Sequence, residues 1–225
     1  MLISRLLERS NVQDFVRYDP VQIQYESNSV AGCRSRNFRG PDEILIPIER
    51  LYRAYYGRGL AQSVARMEPG EKIRHTVQFL ESITGLKNIG EWLTMMLELD
   101  CVFLNEDRHT NNIAVIRNEK TGVYRLCPFY DNGLSLLSDV NDYPFEKDIY
   151  QLISKVEAKP FDRSFDVQVE AAEALYRPQL RLSFSEKYLL QELAKLEEYY
   201  SDFVLKRVES ILLEQMRKYP YLFRT

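Results

Sequence analysis

Asn105-Glu106-Asp107-Arg108-His109-Thr110-Asn111-Asn112, followed after a short interval by Pro128-Phe129-Tyr130-Asp131-Asn132-Gly133, is the stretch whose reading decides the fold. Phosphoryl transfer asks little covalent work of a protein. It needs one carboxylate to orient the attacking hydroxyl, and a carboxylate with an amide oxygen to hold Mg²⁺ on the phosphates of ATP. Asp107 and Asn112 stand five positions apart, so one tight loop can aim both side chains into one cleft. Residues 113–117 and 123–127 read as two short strands around the turn-like Asn118-Glu119-Lys120-Thr121-Gly122. Such a hairpin carries the chain away and back, which returns Asp131 to the neighbourhood of Asn112.

Taken singly, these signals are ordinary. Asn112 by itself is as well explained as a residue bonding loop backbone, and Asp131-Asn132-Gly133 as a turn, since Asn and Gly tolerate positive φ. The joint order of acid, amide, hairpin and acid is the informative feature, and protein kinases order their catalytic loop, two strands and metal-binding Asp in this way. Asp107-Arg108-His109-Thr110-Asn111-Asn112 resembles the Asp-x-His-x-x-Asn loop of HipA-like serine/threonine kinases, a bacterial family, and Leu126-Cys127-Pro128-Phe129-Tyr130-Asp131 is similar to their Leu-x-Pro-x-Tyr-Asp metal segment. The similarity extends to Ala31-Gly32-Cys33, Asn37-Phe38 and the stretch from Lys159-Pro160-Phe161 to Gln168. The resemblance implies that Asp107 is the catalytic base, that His109 braces the loop, and that Asn112 and Asp131 hold Mg²⁺ and with it ATP. It also implies a protein substrate with a Ser or Thr acceptor and, through the toxin–antitoxin systems of the family, a HipB-like antitoxin partner.

Two departures qualify this reading. Arg108 stands where many members have Gly, which makes the loop partly similar to that of phosphoinositide kinases and leaves the acceptor open between a protein, a small molecule and an inositol lipid. A phosphate-bearing acceptor would favour a basic cleft, to which Arg34, Arg36 and Arg39 are candidate contributors. A kinase also needs a cover for the nucleotide phosphates and a strand lysine paired with them. No Gly-x-x-x-x-Gly-Lys-Ser/Thr occurs, and Gly57-Arg58-Gly59 has Gln62 in place of a third glycine. The expectation is therefore a domain lacking most of an amino-terminal lobe. Such a chain is either inactive alone, a binding module, or completed by a separate chain that carries the missing lobe.

Composition bounds the alternatives. The 225 residues carry 30 Lys and Arg against 33 Asp and Glu, a net charge of −3, so there is no global basic field to draw nucleic acid. A hydrophobic fraction of 45% is that of a globular domain rather than a disordered chain. Cys33, Cys101 and Cys127 are odd in number and far apart, which suits reduced thiols, and neither His75 nor His109 has a cysteine at zinc-ligand spacing. Met1 to Leu7 is interrupted by Arg5 and lacks the form of a signal peptide. No apolar run is long enough to cross a membrane. A cytoplasmic location is expected.

Helical spacing of Leu2, Ile3, Leu6 and Leu7 predicts a short opening helix. Residues 15–25 and 29–38 read as a hairpin with Pro20 at an edge, leading through residues 33–38 into a nucleotide hinge. From Gly40 the pattern predicts helices over 43–56, starting at Pro41-Asp42-Glu43, and over 71–84, stopped by Gly85. Residues 88–104 predict a helix buried on every side, with Trp92 in the core. Residues 134–147 read as a mobile segment in the position of an activation loop, where Ser135 and Ser138 are ordinary loop serines or else phosphosites. Ser164 caps a helix to Tyr176, Ser183 or Ser185 caps another, and a long helix runs through Met216. The fold expected is α+β, mostly helical, a protein-kinase-like large lobe with a remnant hairpin of the small lobe. Residues 1–38 form the remnant and hinge, and residues 39–225 the helical lobe with the catalytic loop.

Overall fold

The computed structural model describes residues 1–223. Its elements run α1 (Leu2–Leu6), a 3-10 turn (Leu7–Arg9), β1 (Asp19–Tyr25), β2 (Asn28–Arg34), β3 (Glu43–Pro47), α2 (Ile48–Tyr56), α3 (Leu60–Val64), α4 (Pro69–Thr84) and α5 (Ile89–Phe103). They continue with β4 (Ala114–Asn118), β5 (Tyr124–Leu126), α6 (Ile149–Ile153), α7 (Phe165–Tyr176), α8 (Glu186–Ala194), α9 (Asp202–Lys218) and a final 3-10 turn (Pro220–Leu222). The outcome is α+β and mostly helical, as expected from the sequence.

Helix α5 is the axis of the molecule because its apolar residues run nearly all round it. Ile89, Leu93, Leu97, Cys101 and Val102 are wholly buried, and an all-round apolar helix has no face to give to water. Trp92 lies in this core against the Phe129 ring. Helices α4, α7 and α9 pack around α5. The approach of α7 is set by Gly90: a Cβ there would fall 2.3 Å from the Tyr176 ring, so glycine's missing side chain is what lets the ring lie on the helix backbone. Each surrounding helix starts and stops where local chemistry dictates. Glu68 and Glu71 form a reciprocal capping box on α4, and Gly85, at φ 73, ends it in the left-handed conformation. The hydroxyls of Ser164 and Ser185 accept backbone N–H groups at the starts of α7 and α8.

The opening helix α1 is buried through Leu2, Ile3 and Leu6 and packs on α8. The following strand segment is tied to the body by Asn11, whose Nδ2 donates to Gln179 O and whose backbone N–H donates to Arg181 O. The β1–β2 hairpin that follows is a separate antiparallel pair, registered from Asp19↔Arg34 to Tyr25↔Asn28 and mostly exposed on both strands.

One expected element is different. Residues 43–47 are a strand, not the first turns of a helix. β3 pairs antiparallel with β4, Ile44 opposite Arg117 and Ile46 opposite Val115, and β4 pairs with β5. The run Ile44-Leu45-Ile46 has the β-branched character that a pleated surface favours, and the helix starts only after Pro47, which cannot supply a mid-helix donor. Glu43 is drawn into the sheet by Arg125, whose Nη2 and Nε lie 2.7 and 2.8 Å from its two oxygens. That contact, with the Gly40 N–H, holds the Glu43 carboxyl down at about 2. The short helices α3 and α6 were not anticipated; neither is long enough to show a period.

Buried acids occupy the otherwise apolar α5. Glu98 has no exposed surface and accepts the backbone N–H groups of Gln179 and Leu180. Burial pushes its carboxyl up to about 8, against those N–H donors and with Glu173 adding repulsion. A carboxyl whose folded pKa lies above its unfolded value holds its proton more tightly in the native state, so stability is full below the unfolded pKa near 4.5 and falls as pH rises towards 8. Thermal unfolding of the wild type is expected to weaken from pH 5 to pH 8 with a slope of at most about 1.4 kcal/mol per pH unit from this group. Glu98→Gln, which keeps an acceptor oxygen, flattens that slope. Parallel pH profiles of the two melting temperatures refute the assignment.

A candidate active site around the 105–112 loop

Helix α5 ends at Leu104, which takes the left-handed conformation at φ 51, and the loop begins at once. Its first residue is pinned to the helix it leaves. Asn105 N–H donates to Asp100 O at 2.9 Å and its Nδ2 to Asp100 Oδ1 at 2.8 Å, while its Oδ1 accepts Asp107 N–H. The far side is fastened to α2: Thr110 Oγ1 donates to buried Glu49 at 2.9 Å, Glu49 N–H donates to Thr110 O, and Ile48 N–H to Ile113 O. A loop tied at both ends to buried elements is held still, as fixed electrostatic chemistry requires.

Within it, three of the four expected site residues come together. Asn112 Nδ2 donates to Asp107 O at 3.0 Å and lies 3.4 Å from Asp107 Oδ2. His109 joins through the backbone, donating to Asp107 O and accepting from Asn112 N–H, and its Nε2 lies 3.7 Å from Asp107 Oδ2. Asp131 approaches by a different route. It follows β5 at φ 57, a left-handed conformation that Asp adopts more readily than most residues, and its N–H points to the Tyr18 hydroxyl.

The link between these halves is Arg108. The side chain is 2% exposed and faces the interior. Its Nε donates to Asp100 Oδ2 at 2.8 Å and its Nη2 to Asp100 Oδ1 at 3.0 Å, a bidentate pair with an acid of α5. The second Nη2 proton goes to Asn132 Oδ1 at 2.8 Å. Nη1 donates to Asn112 O at 3.2 Å and to Tyr130 O at 2.9 Å. One nitrogen thus draws the backbone of the loop and the backbone of the 130–132 segment onto itself. Burial works to weaken the guanidinium's hold on its proton, and the Asp100 carboxylate more than reverses this. Arg34, Arg36 and Arg39 are exposed.

Lys159 completes the arrangement and was not anticipated. Its Nζ lies 3.3 Å from Asp107 Oδ1, far along the chain, so no local pattern announces it. Arg108 was open to better prediction: an aspartate at position 100, inside an otherwise apolar helix, needs a cationic partner, and an arginine just beyond the helix end is the nearest candidate. Ser135, one of the two alternative phosphosites, is 5% exposed and closed to a modifying enzyme.

Asn112 and Asp131 offer oxygen, which is what Mg²⁺ prefers. Because Nδ2 of Asn112 is spent on Asp107, the acceptor Oδ1 is the end left for a cation. Asp131 is exposed and forms no salt bridge among the described residues. Among the described residues no group of three or more His, Cys, Asp or Glu is placed to hold a metal. Mg²⁺ sites on nucleotides typically use one or two protein carboxylates and complete their shell with phosphates and water, so the donor set fits a metal that arrives with ATP.

The fold is kinase-like. The structure matches that of the Helicobacter pylori proinflammatory kinase CtkA with a TM-score of 0.66 and 12% identity, over 98% of this chain and 82% of that one. No family model and no curated protein matches the sequence. The likeness is one of fold.

Arg108→Met strands the Asp100 carboxylate and frees two backbone carbonyls, and is expected to cost about 3–5 kcal/mol in urea unfolding. The double variant Asp100→Leu with Arg108→Met regains part of that loss, because both charges leave together. Equal stability of Arg108→Met and the wild type rules out the keystone role.

Proposed function

We propose that this chain is a phosphotransferase of the HipA-like serine/threonine kinase type, moving the γ-phosphoryl group of ATP to a protein hydroxyl. The observation that carries the reading is the Arg108 nitrogen that binds both Asn112 O and Tyr130 O. It brings the loop that holds Asp107 beside the segment that holds Asp131, the juxtaposition that phosphoryl transfer needs and that two unrelated loops have no reason to adopt.

In this reading Asp107 orients the acceptor hydroxyl and takes its proton, with one carboxylate oxygen facing Lys159 and the other near Asn112 and His109. Lys159 adds positive charge beside that carboxylate, where the transferred group becomes more negative. Asn112 and Asp131 would hold Mg²⁺. Such an ion, arriving with ATP, would supply positive charge against the phosphates. His109 keeps the loop's curvature through its two backbone bonds.

A second reading, that another segment or chain completes the small lobe, is favoured by the hairpin. β1 and β2 form an isolated two-stranded sheet with Ile23, Tyr25 and Val30 exposed, and a lone hairpin is marginal in water. Further strands laid against it would cover these side chains and carry the phosphate cover. A HipB-like antitoxin remains a partner suggested by the family resemblance alone.

Incubation with γ-labelled ATP and a protein extract tests the activity. Asp107→Asn is expected to lower transfer by about 10²–10⁴-fold while Mg-ATP binding persists. Asp131→Asn abolishes Mg-dependent ATP binding in calorimetry and leaves the melting temperature unchanged, since Asp131 is exposed and its carboxylate forms no salt bridge among the described residues. Unaltered Mg-ATP affinity in Asp131→Asn excludes it as a metal ligand.

A further inference from the structure

The chain as a whole is acidic, yet between residues 50 and 66 it carries Arg50, Arg53, Arg58 and Arg66 and no Asp or Glu. All four are exposed. Helix α2 gives its buried side to Ile48, Leu51 and Tyr52. Positions 50, 53 and 56 follow one another at three-residue steps, which makes them neighbours along one ridge of its outer side. Arg58 comes immediately after Gly57, the left-handed residue that ends the helix. The Arg53 guanidinium lies beside this turn, since a Cβ on Gly59 would fall 3.3 Å from its Nη2. Three arginines and Tyr56 thus share one patch. Arg53 faces Glu49 at 3.6 Å, and Arg50 and Arg58 form no salt bridge among the described residues.

Beside the arginines the surface is aromatic. Tyr55 and Tyr56 are 55% and 57% exposed, and both rest on the buried Phe79 of α4, with ring centres 6.1 and 5.8 Å from it. Tyr56 also packs on Tyr52 at 4.6 Å, and the Tyr52 hydroxyl is held by His75 Nε2. These rings are supported from behind and bare in front, so a partner loses little freedom in fixing them. Arginine and tyrosine are the residue types in which binding energy concentrates at protein interfaces.

We propose that this patch docks an acidic segment of a protein partner, its carboxylates on Arg50, Arg53 and Arg58 and an aliphatic side chain on the rings of Tyr55 and Tyr56. Guanidinium forks match carboxylates through paired, parallel hydrogen bonds. A nucleic-acid strand is the poorer fit. It needs a groove of cations that tracks its phosphates, and the patch is one short ridge on a chain of net charge −3. Glu49 joins the patch to the catalytic loop, its Oε2 accepting from Thr110 Oγ1 at 2.9 Å while its Oε1 faces Arg53. A segment held on α2 therefore lies next to the loop that carries Asp107, and a Ser or Thr further along it is delivered to the candidate base. That use rests on the phosphotransfer reading; docking itself does not.

Fluorescence anisotropy on the full chain without nucleotide tests the docking. The probes are a short labelled polyglutamate peptide with one central leucine, its polylysine counterpart, and an oligothymidylate of equal charge. The acidic peptide is expected to bind at least tenfold more tightly than the other two, and more weakly as salt is raised. Arg50→Gln with Arg53→Gln and Arg58→Gln lowers that affinity at least tenfold, and Tyr56→Ala lowers it by a smaller factor. Arg181→Gln with Lys187→Gln and Lys206→Gln, which removes the same charge from around α8 and α9, leaves it unchanged. Should the first triple variant fail to fold, Arg58→Gln alone, outside the helix, lowers affinity about threefold, the worth of one exposed ion pair. Oligothymidylate binding as tightly as the peptide, equal losses in the two triple variants, or no peptide binding up to millimolar concentration each overturns the proposal. With an acceptor peptide that carries the same acidic run, the first triple variant raises KM at least fivefold and keeps kcat. If docking holds and KM does not move, the surface stands and its delivery to Asp107 is discarded. If docking holds and no acceptor is phosphorylated, the phosphotransfer reading fails and the docking surface stands.

Discussion

The Asp100–Arg108 pair is the constraint on which the rest depends. A guanidinium has five N–H donors and no acceptor, and here all five are placed: two on Asp100, one on Asn132 Oδ1, and one each on the carbonyls of Asn112 and Tyr130. A buried charge is tolerable only when its partners are this complete. The completeness also explains why lysine is no substitute: three donors on a flexible stem cannot hold five acceptors in a plane. Stability is therefore a secondary matter for this pair. Its main consequence is geometric, because helix α5, the loop and the 130–132 segment can satisfy one side chain together only in a single arrangement.

That arrangement separates what is rigid from what meets solvent. Asp100, Asn105, Arg108 and Thr110 are buried and spend their hydrogen bonds on one another, on neighbouring backbone and on the side chains of Glu49 and Asn132. Asp107, His109 and Asn112 are only partly covered, and Asp131 is exposed. The polar interior thus holds the loops while leaving the chemical groups able to meet a ligand. Left-handed leucines mark the borders of this region, at Leu104 where α5 ends and at Leu136 and Leu137 beyond Asp131. Backbone strain of this sort, of order 1–3 kcal/mol per residue, persists where the surroundings over-determine it and gathers at functional segments. The hydrogen bond from Leu136 N–H to Phe103 O supplies part of that enforcement.

Elements with strong local signals were legible. α4 with Gly85 behind it, α5 with its all-round apolar surface, α7 after Ser164, α8 after Ser185 and the β4–β5 hairpin all follow from caps, periods and turns within a few residues. The failures share a cause. Residues 43–47 read as helix because Pro41-Asp42-Glu43 imitates a first turn, and only pairing with β4, whose residues lie about seventy positions on, makes a strand of them. α3 and α6, five residues each, are too short for a period to accumulate. Lys159 was missed because its partner Asp107 lies 52 residues away.

By itself the sequence determined the residue types and their order: acid, amide, hairpin and acid, on a loop leaving a buried helix. Those properties are local, set by turn chemistry and hydrophobic period, and need no knowledge of what lies across the fold. Only the tertiary structure decided that Glu43 pairs with Arg125, that Lys159 reaches Asp107, and that Arg108 reaches the carbonyl of Tyr130. Each of these depends on where a charge or a hydroxyl finds its partner once water is excluded. That partner lies at a distance in sequence over which no pattern of neighbouring residues carries information.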